Sequence, residues 1–267
     1  MKTYLLRVFG AVVLLYVAVS LWVYTCQAPL LFDTVTAAAH TPSEQELERL
    51  FQFQFTSPEG ETLTVFHTHQ TTTDKAIVLF GGSNSNAAEL ALRVARILPD
   101  TPIFVPSYRG YPFSTGTPSE ESLQADGLQA YDEIMAQFAP KKMIVAGASL
   151  GTGVASYVGA LRKTEKLLLI MPFDSLLRTA EWHYPFLPMS LILKHRFESV
   201  RALAGSPVPT AVLMVKDDDV VPNQRTLQLV KNLRHVVLFS TLEGTTHGTL
   251  LEDGRLKAWL HQALSLE

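Results

Sequence analysis

KMIVAGASLGTGVASYVGA, residues 142 to 160, is the stretch that decides how the chain is read. Met143-Ile144-Val145-Ala146 is a short apolar run, the pattern of a strand buried on both faces. Gly147-Ala148-Ser149-Leu150-Gly151 follows, and the small and apolar residues after it can wind as a helix. The result is G-x-S-x-G between a strand and a helix, the setting of a nucleophile elbow. A serine in so sharp a turn sits in strained backbone, and side chains at positions 147 and 151 would collide with the neighbouring strand or helix. The turn lifts the Ser149 hydroxyl out of the sheet. It also leaves the Leu150 N–H at a helix start, free to stabilise an oxyanion. The competing reading is a Gly-rich turn that merely packs a helix closely on a sheet.

A serine nucleophile needs an acid and a histidine, in that order along the chain. Asp217-Asp218-Asp219 follows the apolar run Thr210 to Val215, so it falls at the carboxyl edge of a sheet; an acidic loop without a role has the same appearance. His247, in Gly244-Thr245-Thr246-His247-Gly248, follows the next run, Val236 to Phe239, and precedes a final helix over 249–265. The chain has eight histidines, so this placement carries weight only together with the serine and the acid.

The remaining segments supply the scaffold. Leu50 to Phe55 and Glu61 to His69 alternate apolar and polar residues around Ser57-Pro58-Glu59-Gly60, which reads as a β-hairpin. Lys75 to Phe80 is an apolar run, hence a central strand. A helix over 87–98, a strand over 102–106 and a helix over 119–138 lead to the Ser149 strand. Beyond the elbow helix come the strand Lys166 to Met171, an aromatic, proline- and leucine-rich segment over 172–204, the strand Thr210 to Val215 and a helix over 222–233. Such alternation predicts an α/β fold with a mostly parallel sheet and helices on both faces. Ligands in such sheets bind beyond the carboxyl ends of the strands.

Val8 to Thr25 contains eighteen residues without a charge, long enough to span a bilayer as one transmembrane helix. A cleaved signal peptide and a lipidated Cys26 are the alternatives, though Pro29 and the bulky Tyr24 suit neither cleavage site. Lys2 and Arg7 precede the run and no further cation follows until Arg49, which puts the body on the non-cytoplasmic side of the membrane. Three parts follow: an anchor or signal segment over 1–28, a linker over 29–49, and a domain over 50–267 with a short lid over 172–204. Across 267 residues the formal net charge is −3 with no basic cluster after the N-terminus, which argues against nucleic acid as a partner. Cys26 is the single cysteine, so no intrachain disulfide or C-x-x-C pair exists. His67-Thr68-His69 sets two imidazoles on one strand face; with no third ligand at convincing spacing, a solvated face is expected rather than a metal.

The chain from about Phe51 to Leu264 resembles the serine hydrolases of the α/β-hydrolase superfamily. It is most similar to the small, N-terminally membrane-anchored branch without a large cap domain. The matching segments are Gly147 to Gly151, Ser107 to Tyr111 with Gly116 to Glu120, His183 to Pro188, Arg196 to Ser199, and Asp218-Asp219-Val220-Val221-Pro222. In that branch the acid stands in a D-x-x-V-P pattern, which implies Asp218. The loop after the first central strand usually carries a histidine before its glycines; Phe80-Gly81-Gly82-Ser83-Asn84 lacks it. Aligned on the glycines, the second oxyanion donor is the Ser83 N–H, beside that of Leu150. The resemblance implies hydrolysis of carboxylic esters or thioesters, acyl lipids among them, through Ser149, His247 and Asp218, with neither cofactor nor metal. A serine peptidase, an acyltransferase and a silent binding protein on the same fold are the alternatives. Gly82, Tyr108, Arg109, Phe173 and Trp182 are candidates for the substrate pocket. For Arg109 a structural role is the competing reading, and for the lid aromatics it is packing beneath a long loop.

Overall fold

Apolar runs flanked by turn residues become the interior of one sheet in the computed structural model, which describes residues 1–71 and 74–266. Helix α1 (Lys2–Leu31) leads to the short helices α2 (Thr34–Ala39) and α3 (Glu44–Leu47). Strands β1 (Phe51–Thr56) and β2 (Thr62–His67) form the hairpin, in register from Phe51–His67 to Thr56–Thr62. Then come β3 (Lys75–Phe80), α4 (Ala87–Ile97), β4 (Ile103–Pro106), α5 (Glu120–Phe138), β5 (Lys142–Ala148), α6 (Gly151–Leu161) and β6 (Lys166–Ile170). The segment over 172–204 holds three short helices, α7 (Leu176–His183), α8 (Met189–Ile192) and α9 (Ser199–Ala202). The chain closes with β7 (Thr210–Val215), α10 (Asn223–Asn232), β8 (Val236–Leu242) and α11 (Gly254–Ser265). The last helix does not run unbroken from position 249. A 3-10 turn over Leu250–Glu252 comes first, and the Asp253 carboxylate then caps α11 by accepting the Arg255 N–H at 2.9 Å.

Among the described residues the eight strands lie in the order β1-β2-β4-β3-β5-β6-β7-β8. The pairs from β4 to β8 are parallel, and β2 is antiparallel to both its neighbours. Period-two alternation divides the side chains of the inner strands between two cores. Val78, Phe80, Met143 and Val145 face α5, α6 and α10, while Ile77, Leu79, Ile144 and Ala146 face α4 and α11. Both faces are covered, which is why these strands read as unbroken apolar runs. Near its carboxyl end β5 presents only Ala146 and Ala148 to the second face, and that choice of small side chains leaves space there.

Helix α1 is exposed and apolar through most of its length. Its most apolar 18-residue window has a mean hydropathy of 2.2 and no buried residue, so α1 is long and apolar enough to cross a membrane. Its C-terminal end is different in kind. Gln27 is buried, and Phe32, just beyond the helix, lies in the core edge-on to His195 and Phe197.

Candidate active site

Ser149 sits at the end of β5 with a φ of +51°, a left-handed conformation that costs a residue with a Cβ about 1 to 2 kcal/mol. The surrounding contacts hold it there. Its N–H donates to the Ile170 carbonyl at 2.9 Å, and its own carbonyl accepts from Thr152. The flanking glycines are required by close approach rather than by φ. A Cβ at Gly147 would lie 2.3 Å from the Gly151 carbonyl oxygen, and one at Gly151 only 2.1 Å from that of Phe80. Helix α6 therefore starts directly against the strand ends, and the serine hydroxyl projects beyond them.

The loop after β8 brings His247 to that hydroxyl, with Nε2 2.8 Å from Ser149 Oγ. On its other side Nδ1 is 2.9 Å from both Asp218 oxygens. A carboxylate at neutral pH only accepts, so Nδ1 carries the proton and Nε2 presents its lone pair to the serine. The three consecutive aspartates separate by what they reach. Asp218 Oδ1 also accepts the N–H groups of Val220 and Val221, at 2.9 and 2.7 Å, which fixes the carboxylate plane. Asp217 instead accepts the Gly244 N–H at 3.0 Å and so ties down the histidine loop. Asp219 is exposed.

The loop after β3 lies on the other side of the serine. A Cβ on Gly82 would come within 3.5 Å of that of Ser149. Two tyrosines hold this loop from behind: Tyr108 Oη donates to the Gly81 carbonyl at 2.8 Å, and Tyr111 Oη to the Ser83 carbonyl at 2.5 Å. The Asp33 N–H, just past α1, donates to the same Ser83 oxygen at 3.0 Å. Burial pushes both phenols above their ordinary pKa, so they remain protonated donors. The loop that lacks a histidine is thus held by its carbonyls. Among the described residues the N–H groups of Ser83 and Leu150 take no hydrogen-bond acceptor in the chain.

Beneath Ser149 and His247 a cavity of about 180 Å³ runs into the core between the sheet and helices α4 and α11. Its walls are mostly aliphatic: Ile77 and Leu79 of β3, Ala146 and Ala148 of β5, Leu168 and Ile170 of β6, with Leu90, Val94 and Leu260 from the helices, while Asn84 and Ser85 add polar atoms from the loop after β3. Ile97 and Leu251 of its lining also border an open surface groove beside Arg93 and Arg96. Gly82 belongs to the cavity wall, whereas Tyr108, Arg109, Phe173 and Trp182 do not. Tyr108 is behind the loop. Arg109 is buried and bidentate to Asp126, at 3.0 and 2.7 Å, with Glu59 at 2.9 Å. Phe173 is buried in the opposite core, and Trp182 lies exposed on α7.

His67 departs from its expected solvated face. It is buried, stacked on Phe104 at 5.3 Å between centroids, and donates from Nδ1 to the His69 carbonyl at 2.7 Å. Burial holds its pKa below the usual value. No cluster of three or more metal-ligating side chains occurs among the described residues. Sequence reasoning missed the tyrosine pegs and the aliphatic cavity. The tyrosines were visible in Ser107 to Tyr111, but only the tertiary contact shows what they touch.

No family model matches the chain. Among curated proteins, an uncharacterized protein of Mycobacterium tuberculosis is 32% identical over 178 residues, covering 66% of this chain. The match spans 63% of that relative's length. A lysophosphatidylserine lipase of Danio rerio, ABHD12, is 24% identical over an alignment of 264 positions, gaps included, that covers 79% of this chain and 68% of the lipase. Among solved structures, an esterase of Pyrococcus furiosus superposes with a TM-score of 0.66 at 13% identity, covering 84% of this chain and 95% of the esterase. At that identity the likeness is one of fold.

Proposed function

From the premise that this chain has the α/β-hydrolase fold, we propose that it is a membrane-tethered serine hydrolase of carboxylic esters or thioesters with acyl chains. The observation that carries the reading is the unbroken contact from Ser149 Oγ through His247 to Asp218, at 2.8 and 2.9 Å. In the reaction Ser149 Oγ attacks the carbonyl carbon while His247 Nε2 takes its proton. Asp218 holds the imidazole tautomer and stabilises the imidazolium. The N–H groups of Leu150 and Ser83 receive the oxyanion, each worth about 3 kcal/mol in comparable sites. The tetrahedral intermediate collapses to an acyl-enzyme as the imidazolium gives its proton to the leaving oxygen or sulfur. Water, deprotonated by the same imidazole, then releases the acid.

The cavity supports an acyl substrate, since its walls are mostly aliphatic and its polar lining residues besides Ser149 and His247, Asn84 and Ser85, come from the loop beside Ser149. The relative named as a lysophosphatidylserine lipase suggests the ester of an acyl lipid. Helix α1 is the tether in this reading. The cations at Lys2 and Arg7 support a catalytic domain, residues 50–267 with a lid over 172–204, that faces the non-cytoplasmic side. A fluorophosphonate probe on the full chain tests the proposal. Labelling of the folded protein that is abolished by Ser149→Ala is expected, and so is faster hydrolysis of p-nitrophenyl acyl esters than of aminoacyl amides. A folded chain that takes no label sinks it.

A further inference from the structure

The end of α1 is bolted to the lid. Gln27, 3% exposed, donates from Nε2 to the Ile192 carbonyl at 3.0 Å and accepts the Lys194 N–H at 2.7 Å. Val23 and Leu31 pack on a small apolar cluster that includes Met189 and Ile192. The Lys194 ammonium stands 4.0 Å above the Tyr24 ring. These contacts fix the lid at the level where α1 leaves its apolar stretch, a level that the rings of Trp22 and Tyr24 also mark. Around those contacts in sequence the lid leaves large apolar side chains exposed: Trp182 is 54% exposed, Tyr184 57%, Phe186 88% and Leu191 80%. A single exposed apolar residue is ordinary, but four within ten positions mark a contact surface.

We propose that this face of the lid is a second membrane contact, lying in the surface of the same bilayer that α1 enters. Continuity with the span argues for lipid as the occupant, and so does composition. From Trp182 to Arg196 there is no carboxylate, whereas Lys194 and Arg196 are cationic. Rings and aliphatics backed by cations suit the boundary between acyl chains and anionic headgroups. The same contacts reach the reaction site. His183 Nε2 donates to the carbonyl of Val220, two residues past Asp218, at 2.8 Å. On the other side the Asp33 N–H holds the Ser83 carbonyl. Both borders of the Ser149 site are therefore anchored to elements resting on the bilayer, and an acyl ester dissolved in the leaflet meets the serine at the membrane surface. The inference rests on α1 being a span, and its first test is independent of the hydrolytic chemistry.

The test uses the full chain carrying Cys26→Ser, with one new cysteine at a time: Leu14→Cys in α1, Phe186→Cys in the lid, or Lys141→Cys just before β5, at the opposite end of that strand from Ser149. Each is labelled with an environment-sensitive fluorophore and reconstituted in phosphatidylcholine–phosphatidylglycerol vesicles. Nitroxide-bearing lipids are expected to quench the labels at 14 and 186 at least threefold more than the label at 141, with iodide doing the reverse. A label at 186 that behaves like that at 141, while that at 14 is quenched by lipid, overturns the proposal. Shielding from iodide without lipid quenching overturns it in favour of a protein contact or a second copy. Lack of lipid quenching at both 14 and 186 removes the span and this proposal together. In a second arm, the double variant Phe186→Asp/Leu191→Asp should hydrolyse a long-chain p-nitrophenyl ester embedded in vesicles at least tenfold more slowly, with dissolved p-nitrophenyl acetate unaffected. Equal rates on the vesicle ester would contradict the proposal. Absence of hydrolysis by the unaltered chain counts against the hydrolase reading alone, since the quenching arm still decides this one.

Discussion

Asp218 is singled out from Asp217 and Asp219 by reach rather than by chemistry. Its carboxylate spans the His247 Nδ1 and two backbone N–H groups, while Asp217 spends its acceptor on Gly244. Asp218→Asn replaces an acceptor with an amide that can donate, and the imidazole then turns its lone pair to the wrong side. By analogy with other triads, kcat is expected to fall about 10⁴-fold with little change in KM, in steady-state kinetics on a p-nitrophenyl ester. Asp217→Asn keeps one acceptor and should remain within tenfold of the original. Tyr111→Phe belongs to the same scale. It deletes the phenol that holds the Ser83 carbonyl and should cost about 1 kcal/mol of stability by urea unfolding. If the loop orients an oxyanion donor, kcat should fall by more than KM rises; an unchanged kcat would assign the tyrosine to packing.

At the scale of elements, the β5–α6 junction tolerates almost nothing. Gly151→Ala places a methyl 2.1 Å from the Phe80 carbonyl, against backbone of a central strand that cannot give way. Loss of soluble, folded protein is expected on circular dichroism. Gly248→Ala, with nothing within 4 Å of the new methyl, should fold normally. The same strand sets the cavity. Ala146→Leu fills its middle, and the expected result is at least a tenfold drop in kcat/KM for long acyl esters relative to acetate or butyrate, since each misfitted methylene is worth about 1 to 3 kcal/mol. Leu251→Ala thins the wall that the cavity shares with the surface groove and should shift the chain-length profile upward. An unaltered profile in both variants would move the acyl chain elsewhere.

For the molecule as a whole, Arg109 shows how distant segments are clamped together. Its guanidinium joins Glu59 of the hairpin turn to Asp126 of α5, with Tyr108 and Tyr111 on either side of it in sequence. Desolvation raises the Asp126 pKa, and removing the arginine would leave that carboxylate buried without a counter-charge. Arg109→Ala should cost about 3 kcal/mol or more, seen as a drop in Tm of about 6 to 12 °C. A rise in KM at unchanged Tm would instead make Arg109 a substrate contact.

Local signals carried the sheet, the elbow and the long apolar N-terminal helix. Strand runs such as Lys75 to Phe80 and Thr210 to Val215 are uniformly apolar because both their faces are covered, and Gly147 and Gly151 mark a backbone contact that admits no Cβ. An uncharged run such as Val8 to Thr25 is legible as a helix long enough to cross a bilayer, a length and composition that a signal peptide shares. What the local pattern left open was every contact between positions far apart in the chain. It could not show that Gln27 grips the backbone at Ile192 and Lys194, that Tyr108 and Tyr111 hold the loop beside Ser149, that His67 is buried, or that two alanines on β5 leave a cavity. Periodicity and turn chemistry are properties of neighbours in sequence, so the residues state them directly. A pocket, a peg or a clamp is a property of neighbours in space, and it exists only once the sheet has brought those residues together.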